Sequence, residues 1–110
     1  MKLDRVIELL GLTPLTPPRD PAAEVSGGYV SDLLSDVMGH AEKETIWITL
    51  QVHRNVVAVA ALKEVAAVVL VNGTVPDEQT LAEAREEGVA LLSTPMPAFE
   101  TAGRLYELLK

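Results

Sequence analysis

With 110 residues, 48% of them apolar but only 4% aromatic, the chain predicts one domain whose core consists of Val, Leu, Ile and Ala. The net charge of −7 would repel phosphate backbones and anionic lipids, so we expect neither a nucleic-acid nor a membrane partner. The absence of cysteine excludes disulfides, thiolate metal sites and cysteine nucleophiles. Because no segment has the pattern of a signal peptide or a membrane span, we expect a cytoplasmic protein.

Residues 1–21 predict a short helix followed by a proline-rich connection. Four apolar residues recur at helical spacing before Gly11, which suits a left-handed helix stop: Leu3, Val6, Ile7 and Leu10. The next stretch, LTPLTPPRDPAA, contains four of the seven prolines. Such a stretch excludes a helix and a central strand but permits an edge strand or a surface connection.

Residues 22–109 predict the core of the domain. A strand over 22–28 would end at Gly27-Gly28, and the helix after it would have Ser31 as N-cap and Gly39 as C-terminal stop. On that helix, Asp32, Ser35 and Asp36 would form a solvated face. The β-branched and aromatic residues at 45–50 predict a strand.

The remaining elements alternate between helix and strand. We expect a helix over 55–64, a strand over 66–71, a helix from about Pro76 to Gly88 and a strand over 89–92. A last helix would present one apolar stripe: Phe99, Ala102, Tyr106 and Leu109. The order β-α-β-α-β-α-β-α with nearly continuous apolar strands predicts an α/β fold with a mainly parallel sheet and right-handed crossovers.

Ligands of open parallel sheets bind beyond the carboxyl ends of the strands. The segments expected there are polar or contain glycine, and they contribute the candidate ligand-binding residues Ser26, Gly27, Gly28, His53, Arg54, Asn55, Asn72, Gly73 and Thr94. Adjacent glycines could let backbone amides approach a phosphate, but Gly27-Gly28 and Asn72-Gly73 also suit ordinary turns. Both interpretations remain open from the sequence.

His53 and Arg54 are the stronger pair of candidates. His53 could act as an acid-base or phosphate-binding group, and Arg54 could bind an anion at the start of a helix. The alternative is that His53 makes a local hydrogen bond and Arg54 pairs with an acid. His40 and His53 fall on different elements without a third suitably spaced ligand, so we expect no metal site and no cofactor.

Three segments resemble the DRTGG domain: WITLQVHRNVVAVAAL, VAAVVLVNGTVPDEQTL and VALLSTPMPAFETAGRL. Together with SGGYVSDLLSDVM, the resemblance covers about residues 22–109. The family's D-R-T letters fall on 53–55, where Arg54 matches, and its T-G-G letters fall on 71–73, where Gly73 matches. The string Phe99-Glu100-Thr101 fits the family's aromatic-Glu-Thr pattern.

The resemblance implies a three-layer α/β fold with helices on both faces, similar to the N-terminal domains of HPr kinase/phosphorylase and of MurF-type ligases. Relatives of the domain occur in phosphotransacetylases and between the CBS modules of some regulated inorganic pyrophosphatases. It therefore implies a non-catalytic regulatory or interaction domain, expected to be a homodimer and to sense a small anionic metabolite or nucleotide. Kinase activity is not implied, because the chain lacks a phosphate-cradling loop and its lysine.

Two other functions remain open from the sequence. One is a small phosphate-ester hydrolase or phosphotransferase that uses His53 as acid-base and binds phosphate through Arg54, Gly27 and Gly28. The other is a structural adaptor whose partner is a larger protein and whose polar strand ends only cap and turn.

Overall fold

The computed structural model describes residues 1–110 as five helices and five strands. The helices are α1 (Leu3–Leu10), α2 (Leu34–His40), α3 (Asn55–Lys63), α4 (Glu78–Glu87) and α5 (Ala98–Leu109). The strands are β1 (Thr13–Pro14), β2 (Gly27–Val30), β3 (Thr45–Thr49), β4 (Ala67–Leu70) and β5 (Leu91–Ser93). No helix has both the length and the apolar character that crossing a bilayer requires.

The five strands form one sheet in the order β1-β5-β4-β3-β2. β2 to β5 are parallel, and β2 pairs with β3, β3 with β4, and β4 with β5. β1 pairs with β5 in the antiparallel direction, with Thr13 opposite Ser93. The sheet therefore has β1 at one edge and β2 at the other, as the proline-rich stretch allowed for β1.

Two apolar layers cover the two faces of the sheet. One contains α1, α5 and alternate strand residues such as Ile46, Ile48 and Val69. The other contains α2, α3, α4 and the intervening residues, including Trp47 and Val68. Right-handed crossovers between parallel strands that progress in one direction place their helices on one face, which explains the grouping of α2, α3 and α4. The predicted α/β class with helices on both faces is confirmed.

The best-predicted elements have strong local end signals. Gly11 and Gly88 end α1 and α4 with positive φ angles of 64° and 71°, because the left-handed conformation costs glycine nothing. The predicted helix over 55–64 agrees with α3 to within one residue.

Two predictions between Ala22 and Gly39 were wrong. The strand expected over 22–28 is β2, which begins at Gly27 rather than ending near it. The helix expected to start after Ser31 begins at Leu34 and continues through Gly39 to His40. Ser31 instead accepts a 3.2 Å hydrogen bond from the Leu33 amide in a turn before the helix.

The orientation of α5 also differs from the prediction. The stripe expected to face the core contains Phe99 and Tyr106, whose exposed fractions are 91% and 69%. The residues of α5 that are fully buried against the sheet are Thr101 and Leu105. Thr101 fits a buried position because its hydroxyl donates a 2.9 Å hydrogen bond to the Pro97 carbonyl.

Candidate functional site

Six of the nine candidate residues lie at the carboxyl edge of the parallel strands, as predicted. Three of them lie where the connection after β3 leads into α3: His53 and Arg54 in the connection, and Asn55 as the first residue of the helix. The other three follow β4 and β5: Asn72, Gly73 and Thr94. Consecutive parallel strands bring these three connections to one edge of the sheet.

The connections after β4 and β5 hydrogen-bond to each other. The Asn72 amide donates to the Met96 carbonyl at 3.0 Å, and the Gly73 amide donates to the Thr94 carbonyl at 2.9 Å. Asn72 and Gly73 both have positive φ, 58° and 68°, and the Thr74 amide closes their turn on the Val71 carbonyl at 3.2 Å. These amides are already satisfied inside the protein, which supports the turn interpretation of Asn72-Gly73.

Thr94 is buried, with an exposed fraction of 1%. Its amide donates to the Leu70 carbonyl at 3.1 Å, and its hydroxyl oxygen accepts from the Met96 amide at 3.2 Å. The polar atoms of Thr94 therefore connect β4, β5 and the chain that leads into α5.

His53 and Arg54 lie just before α3, and both are exposed. His53 Nδ1 accepts a 3.1 Å hydrogen bond from the Asn55 amide, so the ring caps the start of the helix through that nitrogen. Arg54 takes part in none of the five ion pairs of the protein. Its guanidinium has no carboxylate oxygen within 4 Å.

Asp77 is a residue of this edge that the sequence interpretation missed. It is the N-cap of α4, and its carboxylate accepts a 2.9 Å hydrogen bond from the Thr80 amide. That bond, with smaller contributions from the Thr80 hydroxyl and from the nearby charges of Arg54 and His53, lowers the pKa of Asp77 from its ordinary value of 3.8. An aspartate directly before the start of a predicted helix is a recognisable N-cap signal in the sequence.

The remaining candidates, Ser26, Gly27 and Gly28, do not lie at this edge, so their predicted placement was wrong. They lie at the amino end of β2, where Gly27 is opposite Thr45, the first residue of β3. Gly28 allows close packing, because a Cβ at this position would lie 2.9 Å from Cδ2 of Leu105 on α5. The physical reason for this glycine is contact with α5 rather than a turn.

These three residues nevertheless line a cavity of about 520 Å³ between β2 and α5. Its other lining residues are mostly apolar and include Val30, Ile48, Ala102 and Tyr106. Val30 is 52% exposed although it belongs to a strand. This concavity lies beside the free edge of the sheet, and neither His53 nor Arg54 lines it.

A second polar cluster connects β2 with α2. The Tyr29 hydroxyl donates a 2.8 Å hydrogen bond to the Asp36 carboxylate, whose other oxygen lies 3.2 Å from Nδ1 of His40. The bond from Tyr29 is the main cause of a lowered pKa of Asp36 and of a raised pKa of Tyr29. Asp36 thus holds α2 against the edge strand, whereas the sequence placed it on a solvated face.

No group of three or more His, Asp or Glu side chains comes together in a way that could hold a metal ion. The carboxyl edge thus offers an unpaired guanidinium, an imidazole and a capped carboxylate. The guanidinium in this set can bind an anion.

These layers and this sheet order define a three-layer α/β domain with a mainly parallel sheet. Among solved structures, the chain is similar to the CBS and DRTGG domains of the regulatory region of Clostridium perfringens pyrophosphatase, complexed with its activator diadenosine tetraphosphate. The TM-score is 0.74 at 17% identity, and the match covers 94% of this chain and 45% of that one. No family model and no curated protein matches the chain.

At this identity the likeness establishes a shared fold. The chain spans less than half of the length of the pyrophosphatase regulatory region. The α/β architecture that the sequence resemblance implied is thereby confirmed for nearly the whole chain, 94% of which is covered.

Proposed function

We propose that the chain is a non-catalytic regulatory domain that acts by binding: it self-associates as a homodimer and responds to a small anionic or nucleotide-like ligand at the carboxyl edge. A cytoplasmic location is part of the same proposal. The regulatory role is supported by the fold shared with a regulatory region whose structure contains a nucleotide activator.

The observation that carries the binding role is the apolar surface on β2 and α5. Phe99 and Tyr106 are two of only four aromatic residues in the chain, and both are mostly in solvent. Monomeric proteins rarely leave adjoining large apolar side chains uncovered, because their burial contributes about 25 cal/mol per Å². We propose that a second copy of the chain covers this surface.

The ligand class is suggested by Arg54. It is an exposed guanidinium without an ion-pair partner, in a chain with 16 acidic and nine basic residues. Arginine binds phosphate oxygens through two parallel N–H donors, and the amino end of α3 adds a favourable dipole. Asn55 and Gln51 on the same connection would supply further polar contacts.

The ligand proposal is tested by thermal unfolding with inorganic pyrophosphate, ATP and diadenosine tetraphosphate as separate probes. A ligand that binds only the folded state raises the melting temperature, and the rise grows with its concentration above Kd. We expect at least one probe to do so for the wild type and for Arg85→Gln, a control at an exposed position of α4. Arg54→Gln should lose the rise while melting normally without ligand.

Two results would contradict the ligand proposal. An equal rise for Arg54→Gln and the wild type would place the anion elsewhere. No rise with any probe would favour the adaptor function, in which Asn72, Gly73 and Thr94 serve only the internal hydrogen bonds described above. The hydrolase alternative predicts instead a turnover of phosphate esters that His53→Ala abolishes.

A further inference from the structure

The residues on the exposed face of α5 are arranged nearly symmetrically about the middle of the helix, so the face reads alike in both directions along the helix. Phe99, Gly103 and Tyr106 lie along one side of the helix, because residues three and four positions apart are neighbours. Thr101 and Leu105 lie on the opposite, buried side. The outer face therefore has an aromatic ring near each end and a glycine between them.

The small residues in the middle of this face would permit a close approach. A Cβ added at Gly103 would meet no atom within 4 Å, so this part of α5 is open to the outside. Ala102 adjoins it and lines the cavity beside β2. Two helices can approach closely where both present small side chains at the crossing point.

We propose that two copies of the chain pair through α5, with the two helices antiparallel about a two-fold axis that passes between Ala102 and Gly103. The proposal rests on the dimer and the surface proposed above and adds the arrangement of the two copies. About this axis Phe99 meets the partner's Tyr106, and the same contact repeats by symmetry. Apolar Val30, which lines one cavity with Tyr106, lies beside the contact.

The charges on α5 favour a second copy over an unrelated partner. Residues 98–110 contain two acids and two bases, Glu100, Glu107, Arg104 and Lys110, so this segment is neutral in a chain of net charge −7. Two copies would meet there without the repulsion expected from their overall charge. A basic partner, by contrast, would be attracted to the acidic surfaces elsewhere.

The same axis also brings unlike charges together. Glu100 and Arg104 form an ion pair within the helix at 3.0 Å, and both lie on one flank of the outer face. A two-fold axis perpendicular to the helices keeps that flank on the same side in both copies. Glu100 then faces the partner's Arg104, and Arg104 faces the partner's Glu100, giving two cross-dimer pairs.

The proposal is tested by reversing the charges of Glu100 and Arg104 in separate variants. Sedimentation equilibrium of the purified chains then measures how strongly each variant dimerises. Glu100→Arg alone places two positive charges together at each contact with the partner's Arg104, and Arg104→Glu alone places two negative charges together. Each variant should weaken dimerisation roughly tenfold. An equimolar mixture should recover the wild-type affinity, because the heterodimer restores unlike charges across the interface.

Control variants separate the interface from the fold. Glu86→Arg, at an exposed position of α4, makes the same charge change elsewhere and should leave the dimer unchanged. Phe99→Ser and Tyr106→Ser should each weaken the dimer by tenfold or more. Their urea unfolding as monomers should match the wild type, since both rings are already largely in solvent.

The possible outcomes are distinguishable. A wild-type chain that stays monomeric at high micromolar concentration overturns the proposed dimer itself. A dimer that is insensitive to Phe99→Ser and Tyr106→Ser overturns the α5 surface only. A dimer that is weakened by those variants but not recovered by the charge-exchanged mixture overturns the antiparallel arrangement.

Discussion

The Asp32 carboxylate, just beyond β2, accepts a 2.8 Å hydrogen bond from the backbone amide of Leu50, just beyond β3. The same oxygen accepts a 2.9 Å hydrogen bond from the Thr49 hydroxyl, and that threonine is buried. Asp32 therefore joins the carboxyl ends of two parallel strands next to the connection that contains His53 and Arg54. The sequence interpretation had placed Asp32 on the solvated face of a helix.

We expect Asp32→Ala to lower the free energy of unfolding by about 1–3 kcal/mol, because it leaves two donors without their acceptor. Asp32→Asn retains an acceptor oxygen and should lose less. Ser35→Ala, at a nearby exposed position, serves as the control. Urea unfolding measures all three, and a cost below about 0.5 kcal/mol for Asp32→Ala, typical of a neutral surface change, would contradict this role.

Gly73 and Gly39 provide a matched pair for backbone strain. Both would accept a Cβ without contact within 4 Å, but only Gly73 has a positive φ, of 68°. Gly73→Ala should destabilise by about 1–2 kcal/mol from the left-handed conformation alone. Gly39→Ala, inside α2, should stabilise by about 0.5–1 kcal/mol. The melting temperatures of the two variants should shift in opposite directions from that of the wild type. A shift of the same sign would contradict the backbone strain expected at Gly73.

Gly28 and Gly27 test the packing of α5 on the edge strand. A Cβ at Gly28 would lie 2.9 Å from Leu105 Cδ2, whereas one at Gly27 would lie 4.0 Å from the nearest atom, Thr45 Cγ2. Gly28→Ala should therefore be less stable than Gly27→Ala by about 1 kcal/mol, because Leu105 must move. Leu105→Val in the Gly28→Ala background should recover part of the loss. Equal stability of the two glycine variants would show that Leu105 and α5 can move away from β2 at little cost in free energy.

The capping carboxylate of Asp77 predicts a pH dependence of stability. Its pKa in the folded state is below the ordinary 3.8, chiefly because the Thr80 amide donates to the ionised form. Ionised Asp77 thus stabilises the fold above that ordinary value, and the contribution is lost as the pH falls through the lowered pKa. Asp77→Ala should lower the urea midpoint at neutral pH.

The difference in urea midpoint between the wild type and Asp77→Ala should narrow as the pH falls below 3.8, the ordinary pKa of an aspartate. Asp77→Asn keeps an N-cap oxygen without a charge, so its midpoint should fall less at neutral pH. A difference in urea midpoint that stays constant from neutral to acid pH would contradict the role of the ionised carboxylate.

Sequence patterns predicted the elements whose signals are local. The apolar run after Asn55 and the glycine stops after α1 and α4 involve residues within about one helical turn of each other. β2 was misplaced because Gly27 and Gly28, the first two of its four residues, have little strand propensity of their own. The pairing of β2 with Thr45–Ile48 of β3 makes it a strand.

The candidate site was predicted in part. Chain order was enough to bring the connections at His53, Asn72 and Thr94 to one edge, since parallel strands end on the same side. The hydrogen bonds between those connections were not predictable, because the Gly73 amide and the Thr94 carbonyl are separated by 21 positions in the sequence. Asp77 was overlooked although its capping signal is local.

The sequence by itself determined the α/β class, the order of most elements and the parallel direction of the main strands, because periodicity and helix ends depend on neighbouring residues. Only the tertiary structure decided which face of α5 meets the sheet. The sequence showed one apolar stripe on this helix, with Phe99 and Tyr106 in it, whereas the structure buries Thr101 and Leu105. The close approach of Gly28 selects Leu105, and it leaves the aromatic stripe outside.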